Sequence, residues 1–433
     1  MPETTSVRRV MVAGAIGTTV EWYDYFIYGT AAAVVFDKLF FPSFDPLIGT
    51  LTAFATFGVG FLARPVGAFV FGHYGDKLGR KRMLVLSLLI MGLATAGIGL
   101  LPSYGSIGVG APILLVVLRL FQGFAVGGEW GGATVLIAEH APPGRRGLYG
   151  SVVQIGSPAG LVLASGGFAL VQLLPEPQFL AWGWRVPFLI SVIMVAIGLY
   201  IRMNITESEE FRAVTARQEQ AAVPALDLLR HSKRNLLIAI GARFAPDIGF
   251  YVCGTFVVSY AATTLHLSSG LILLAVAVAA ALEIVAVPLF GALSDRIGRR
   301  AVYLGGAAFW VVFGFPYFWL VDTGAGPAVW LAIILAFVLG HGAMWSIGGA
   351  LYAEMFDTRF RYSGVSLGYQ LAAIVGGGPA PLIATALIAW SGGASWPVSG
   401  YLVLVGAITF AAVWAAREVR SRTREPEMAG GHR

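Results

Sequence analysis

The stretch TVEWYDYFIYGT, residues 19–30, sets Glu21 and Asp24 three positions apart inside an otherwise apolar run. A charge at the centre of a bilayer costs about 2.5–3.5 kcal/mol on insertion scales, so such acids mark a functional pathway. At helical spacing they share a face with Tyr25 and Tyr28. If the helix begins near residue 12, Asp24 lies ~18 Å along it, about mid-membrane. Both acids are expected to face a wet cavity, where a partly desolvated carboxylate can change protonation. The alternative is a structural pair buried against arginine. The segment ARFAPDIGFY, 242–251, repeats the pattern, with Asp247 and Tyr251 spaced as Asp24 and Tyr28 are. Arg243 stands one turn from Asp247 and would keep it ionised. Asp24 is therefore the preferred proton carrier, with Glu21, Asp247 and Glu129 as further candidates.

Basic and amide side chains supply the other half of the chemistry. Arg64 and Glu283 each lie twelve residues before a loop aspartate, Asp76 and Asp295 respectively. Arg119, Gln122, Glu129 and Trp130 fall on one broad helical stripe. Arginine is suited to bidentate carboxylate binding, so Arg64 and Arg119 are plausible anchors for an organic anion. Gln122, Tyr28, Trp130, Tyr251, Glu283, Gln154 and Gln370 are expected to complete the substrate site. Trp345 could line the same cavity. Glu283 either sets substrate preference or neutralises an arginine. His341 could relay protons, but a histidine bonded to a neighbouring helix is the plainer reading. No nucleotide loop and no hydrolase, redox or metal spacing is present, so no cofactor is expected.

The elements that hold these residues are membrane spans. The chain has 433 residues, 57% hydrophobic and 12% charged, with mean hydropathy +0.77. Soluble domains carry about 25% charged residues. Twelve apolar spans are read at roughly 12–36, 47–72, 84–101, 111–138, 148–174, 186–203, 235–262, 269–292, 302–321, 327–353, 364–390 and 397–416. Of the 29 Lys and Arg, only Lys38 and Arg185 fall in one set of loops, and Arg64, Arg119 and Arg243 lie inside spans. All the others fall in the termini and the alternate loops, which places both termini in the cytoplasm. The net charge of +6 is thus a topology signal, and no nucleic-acid partner is expected. The N-terminus lacks a cleavage site for a signal peptide. A single cysteine, Cys253, rules out an internal disulfide.

The sequence also repeats. GHYGDKLGRK at 72–81 returns as GALSDRIGRR at 291–300, and AEHAPPGRRGLYG at 138–150 is echoed by AEMFDTRFRYSG at 353–364. The echoes divide the chain into a bundle at 1–203, a linker at 204–234, a second bundle at 235–416 and a tail at 417–433. Internal repeats of this kind place a substrate site near the midplane, between the halves. The loop motif G-x-x-x-D-[KR]-x-G-R-[KR] resembles the signature of the major facilitator superfamily. EWYDYFIYG, FLARPVGAFVFGHYGDKLGRKRML, RLFQGFAVGGEWGGA and RYSGVSLGYQLAAIVGG are similar to the metabolite:proton symporters within it, shikimate-type members above all.

The resemblance implies an all-α membrane protein of twelve transmembrane helices in two pseudo-symmetric six-helix bundles. It implies that the loops form a conformational latch: Gly72, Asp76, Gly79 and Arg80 in the first, Asp295, Gly298 and Arg299 in the second. Glu139 and Glu354 would be their partners. A plain positive anchor is the alternative reading of those loops. RLFQG resembles the R-x-x-Q-G element associated with coupling and binding, whereas Glu283 departs from the family pattern. The expected protein is no enzyme but a monomeric symporter of the bacterial inner membrane, importing a small organic acid with protons. The rivals are uptake of a zwitterion such as betaine or proline, a drug/proton antiporter, and a sensor without transport. The helix-five region lacks the antiporter element, and matched midplane acids speak against a sensor.

Overall fold

The computed structural model describes residues 7–42, 44–78, 80–127, 144–203, 233–356 and 368–416, with all side chains there except those of 7–14, 72–78, 80–82, 84, 201, 202 and 353. Its helices form twelve spanning segments. The first half holds α1 (Val7–Val34), α2 (Pro46–Leu78), α3 (Arg80–Leu100), α4 (Gly110–Val126), α5 (Arg146–Val171) and α6 (Glu176–Tyr200). The second holds α7 (Lys233–Thr263), α8 (Ser269–Ile297), α9 (Arg299–Val321), α10 (Gly326–Tyr352), α11 (Gly368–Trp390) and α12 (Trp396–Ala415). Among the described residues, 9 of these are long and apolar enough to cross a membrane. α2 runs past the boundary expected at 72 as far as Leu78, so Asp76 is on the helix itself.

Apolar residues point both outward and inward, as a lipid solvent allows. Phe69 and Val312 are each 75% exposed, whereas Phe54, Phe57, Tyr303 and Tyr317 are buried. Because lipid gives helices no hydrophobic reason to associate, close backbone packing has to hold them together. Gly123 shows how: a Cβ there would stand 1.8 Å from the Gly60 carbonyl oxygen. This contact seats α4 against α2 and so brings Arg119 beside the helix that carries Arg64.

The two halves pack alike. α2 lies on α4 and α3 on α6 in the first, as α8 lies on α10 and α9 on α12 in the second. Between halves, α5 runs along α8, α1 meets the 252–263 part of α7, and α2 meets α11. The helices differ in regularity. Wide π-helical turns interrupt α7 at Val252–Phe256, α10 at Ala336–His341 and α11 at Ala373–Gly377. In the described first half the one such turn, Phe179–Gly183, sits at the start of α6. Such turns shift the helix face beyond them and recur at functional sites.

Candidate functional site

A cavity opens between the halves, lined by Glu21, Trp22 and Tyr25 of α1, Arg64 of α2, Val126 of α4 and Tyr369 of α11. Arg64 is its charged centre and is only 1% exposed. The guanidinium carbon lies 4.5 Å from the Tyr25 ring centre and 4.1 Å from that of Phe61. These ring faces attract a cation but accept no strong hydrogen bond. Among the described residues, the Nε and Nη2 of Arg64 have no hydrogen-bond partner. Those two nitrogens form one edge of the planar fork, with donors aimed in parallel, the geometry that receives a carboxylate. Leaving a buried charged donor unmade costs upwards of 1–3 kcal/mol, so a ligand that fills this edge gains that much.

Arg119 is satisfied from within. Its Nη1 donates to Gln122 Oε1 at 3.0 Å, and Nε and Nη2 donate to the Phe57 carbonyl at 3.4 Å. It also lies 4.3 Å from the Tyr25 ring centre and 4.2 Å from that of Tyr28. The Tyr25 ring therefore contacts both guanidinia. Gln122 Nε2 donates to Thr95 Oγ1 at 2.8 Å, and the Tyr28 hydroxyl to Thr56 Oγ1 at 2.8 Å. Arg119, Gln122 and Tyr28 thus form a network inside the first bundle, and none of them lines the cavity.

Asp24 departs from its expected place. It is fully buried, accepts a hydrogen bond from Ser191 of α6, and its Oδ2 has no partner among the described residues. The reason is angular: successive residues are 100° apart on a helix, and three positions separate Asp24 from Glu21. α1 turns Glu21, Trp22 and Tyr25 to the cavity and Asp24 toward α6. The two acids share a helix stripe without sharing an environment.

The second half brings its acids onto cations. Arg243 Nε donates to Asp247 Oδ2 at 3.0 Å, and the Arg243 guanidinium covers the Tyr369 ring at 3.6 Å. Glu283 bonds His341 of α10 and does not line the cavity, and among the described residues no arginine pairs with it. Tyr251 packs on Phe57 and Phe61 across the interface, with ring centres 5.4 and 5.8 Å apart. Gln154 Nε2 donates to the Trp345 carbonyl at 3.4 Å, and Trp345 Nε1 returns a bond to the Gln154 carbonyl at 3.1 Å. Gln370 Nε2 donates to the Gly127 carbonyl at 3.1 Å. These amides bridge the halves beside the cavity.

At the face carrying the repeated loops, Asp295 accepts from the Gly147 and Leu148 amides at 2.8 and 3.0 Å. A carboxylate on the first free amides of α5 is stabilised by the helix dipole as well as by the bonds. Contact is close, since a Cβ on Gly147 would stand 2.6 Å from the Gly291 carbonyl oxygen. Gly298 turns the chain out of α8 at φ +94°, and Arg299 pairs with Glu354 inside the second half. Glu129, Trp130, Gly79 and Glu139 lie outside the described residues, as do the side chains of Asp76 and Arg80; Gly72 is a helical residue of α2. α5 is thus held to α8 at this face, and α1 packs on the 252–263 part of α7. Trp22, Ser191 and Tyr369 entered no sequence reading. Tyr369 had one signal, its place beside Gln370 in RYSGVSLGYQ.

Comparison with known proteins agrees with this geometry. Residues 10–236 match the family described as "Sugar (and other) transporter", and residues 240–433 match "Major Facilitator Superfamily". The chain is 42% identical over 411 residues to the "Shikimate transporter" of Escherichia coli (strain K12), covering 93% of both chains. It is 39% identical over 424 residues to the "Inner membrane metabolite transport protein YhjE" of that strain, covering 96% of both. The "Proline/betaine transporter" of the same strain is 34% identical over 415 residues, 93% of this chain and 82% of the relative. Among solved structures, "Crystal structure of D-xylose-proton symporter" superposes with a TM-score of 0.74 at 17% identity, covering 96% of this chain and 99% of that one, a likeness of fold. Twelve helices in two similarly packed halves, a cavity between them and relatives of this identity together make the chain a multi-pass membrane transporter that belongs to the major facilitator superfamily.

Proposed function

We propose that this protein is a proton-coupled symporter of the bacterial inner membrane. It imports a small polar organic acid, shikimate or a related hydroxy or dicarboxylic acid, by alternating access. Both termini are cytoplasmic and the monomer is the working unit. The observation that carries the reading is the unfilled Nε–Nη2 edge of Arg64 at the cavity between the halves. The relative named as a shikimate transporter supports the same substrate class. Asp24 carries a coupled proton: buried with a hydroxyl for its partner, it is best accommodated neutral when the cavity is closed. Glu21, one turn away at the cavity wall, links it to water.

A second reading has its own support. Trp22, Tyr25 and Tyr369 line the cavity beside Glu21, and aromatic faces with a nearby acid suit a quaternary or secondary ammonium. Relatives named for proline and betaine favour a zwitterion equally served by Arg64. Uptake of labelled shikimate into proteoliposomes, acid outside, tests both. Uptake that other carboxylates inhibit supports the acid. Inhibition by betaine and proline but by no carboxylate overturns it in favour of the zwitterion.

A further inference from the structure

Glu283 of α8 and His341 of α10 form a buried pair that the substrate site leaves unused. His341 Nδ1 bonds Glu283 Oε1, the two residues are 3% and 0% exposed, and Glu283 Oε2 has no partner among the described residues. Gly342 lies against the acid, where a Cβ would be in ordinary contact at 3.4 Å from Glu283 Cγ. The imidazole stacks on Trp345 at 5.2 Å and lies 4.6 Å from the Phe250 ring. Around the pair, α7 presents Asp247 and Arg243, which bond each other, and α9 presents Trp310 against Gly340. α1 sets Trp22 against Trp345, and α5 sets Gln154 against it. Among the described residues, the basic side chain in contact with Glu283 is His341.

The number of protons on this pair decides its charge. With one proton it is neutral as a whole, whichever atom holds it. With none it is an anion, and with two a cation. Either charge, buried without compensation, costs several kcal/mol. A pair carrying one proton adds no net charge to this buried place. The route by which that proton leaves is built into the contact between halves. Trp345 covers His341 on one side and holds Gln154 of α5 by two hydrogen bonds on the other. Separating α5 from α10 breaks those bonds, loosens the indole from the imidazole and admits water. His341 is also the last residue of the π-helical turn Ala336–His341, a point where α10 can change its winding.

We propose that the Glu283–His341 pair is a second transport-proton site, loaded with one proton when the carrier closes and emptied when α10 opens to water. Together with Asp24 it makes the coupling two protons for each substrate. The inference rests on the proton-coupled reading above, and its test separates the two. In proteoliposomes with the membrane voltage clamped at zero and a pH gradient of one unit, each coupled proton adds about tenfold to the limiting accumulation of labelled shikimate. Wild type should reach about 100-fold, and Glu283→Gln/His341→Gln about tenfold. A double variant matching wild type, or a wild type that stops at about tenfold, overturns the second site. A wild type that takes up shikimate without concentrating it overturns proton coupling itself.

A readout independent of substrate keeps the test open if the pair proves necessary for transport or shikimate is not carried. Imidazolium stacked on indole quenches its emission, so the purified wild type should show a pH-dependent step in tryptophan fluorescence. That step should vanish in Glu283→Gln/His341→Gln and in Trp345→Phe. A step that persists in the double variant, or no step in wild type, overturns the proposal.

Discussion

The two halves bury similar residues at matching positions and treat charge differently. In the second half Arg243 meets Asp247 one turn along its own helix, and His341 of α10 meets Glu283 of α8, each basic side chain with an acid. In the first half neither Arg64 nor Arg119 has a carboxylate among its hydrogen-bond partners in the described residues. Aromatic faces, a carbonyl and an amide hold them instead, and Asp24 has a serine. A paired charge is stable without a ligand, whereas an unfilled guanidinium edge is stabilised by one. On the function proposed above, the first half is the one that receives the anion. The second, with its interrupted helices and self-contained pairs, is built to hold its charges neutral while helices move.

The comparison breaks or sharpens at specific residues, and the largest effect belongs to the second half. Removing one partner of a buried pair leaves the other uncompensated, at about 3–5 kcal/mol. Asp247→Asn should lower the melting temperature of the detergent-purified protein strongly, and Arg243→Met/Asp247→Leu should recover most of the loss. An Asp247→Asn protein as stable as wild type would mean that Arg243 is held by its rings alone.

Arg64→Lys comes next, and its effect is on binding. An ammonium cannot reproduce two parallel donors, so affinity should fall by about 1.5–3 kcal/mol, roughly 10–100-fold, with little change in melting. Arg119→Lys should instead disturb stability, since that guanidinium holds Phe57 and Gln122. Equal losses of affinity in calorimetric titrations of the two variants would erase the distinction between them.

Asp295→Asn tests the contact that joins the halves. It removes the charge from the α5 amides, worth about 0.3–1 kcal/mol, and turns an NH2 donor toward one of the two N–H groups that the carboxylate satisfied. A destabilised closed face should speed the opening measured by hydrogen exchange at 147–151. Unchanged exchange there would show that the Gly147–Gly291 approach suffices alone.

The smallest structural effect is expected at Asp24. With no cation to strand, Asp24→Asn should alter stability by no more than about 0.5 kcal/mol. It should still exchange substrate, yet its limiting accumulation should fall about tenfold per unit of pH gradient. Full accumulation by this variant would remove Asp24 from the proton path.

What the sequence determined by itself was everything that depends on local composition and repetition. Apolar length defined the spans, because backbone polar groups in lipid must be satisfied within a helix. The repeated loops and the matched acids at 24 and 247 made the two halves legible, and Arg243 four residues before Asp247 allowed their pairing to be read along one helix. Contacts between helices were not legible in that way. That Arg119 faces Phe57 while Arg64 keeps an open edge depends on the glycine contacts that set α4 against α2. That Glu283 meets His341, 58 residues away, depends on how α8 packs on α10. Asp24 and Glu21 part company for the same reason. A helical repeat fixes the angle between two side chains, but only the neighbouring helices decide whether each angle leads to water, to a serine or to a ligand.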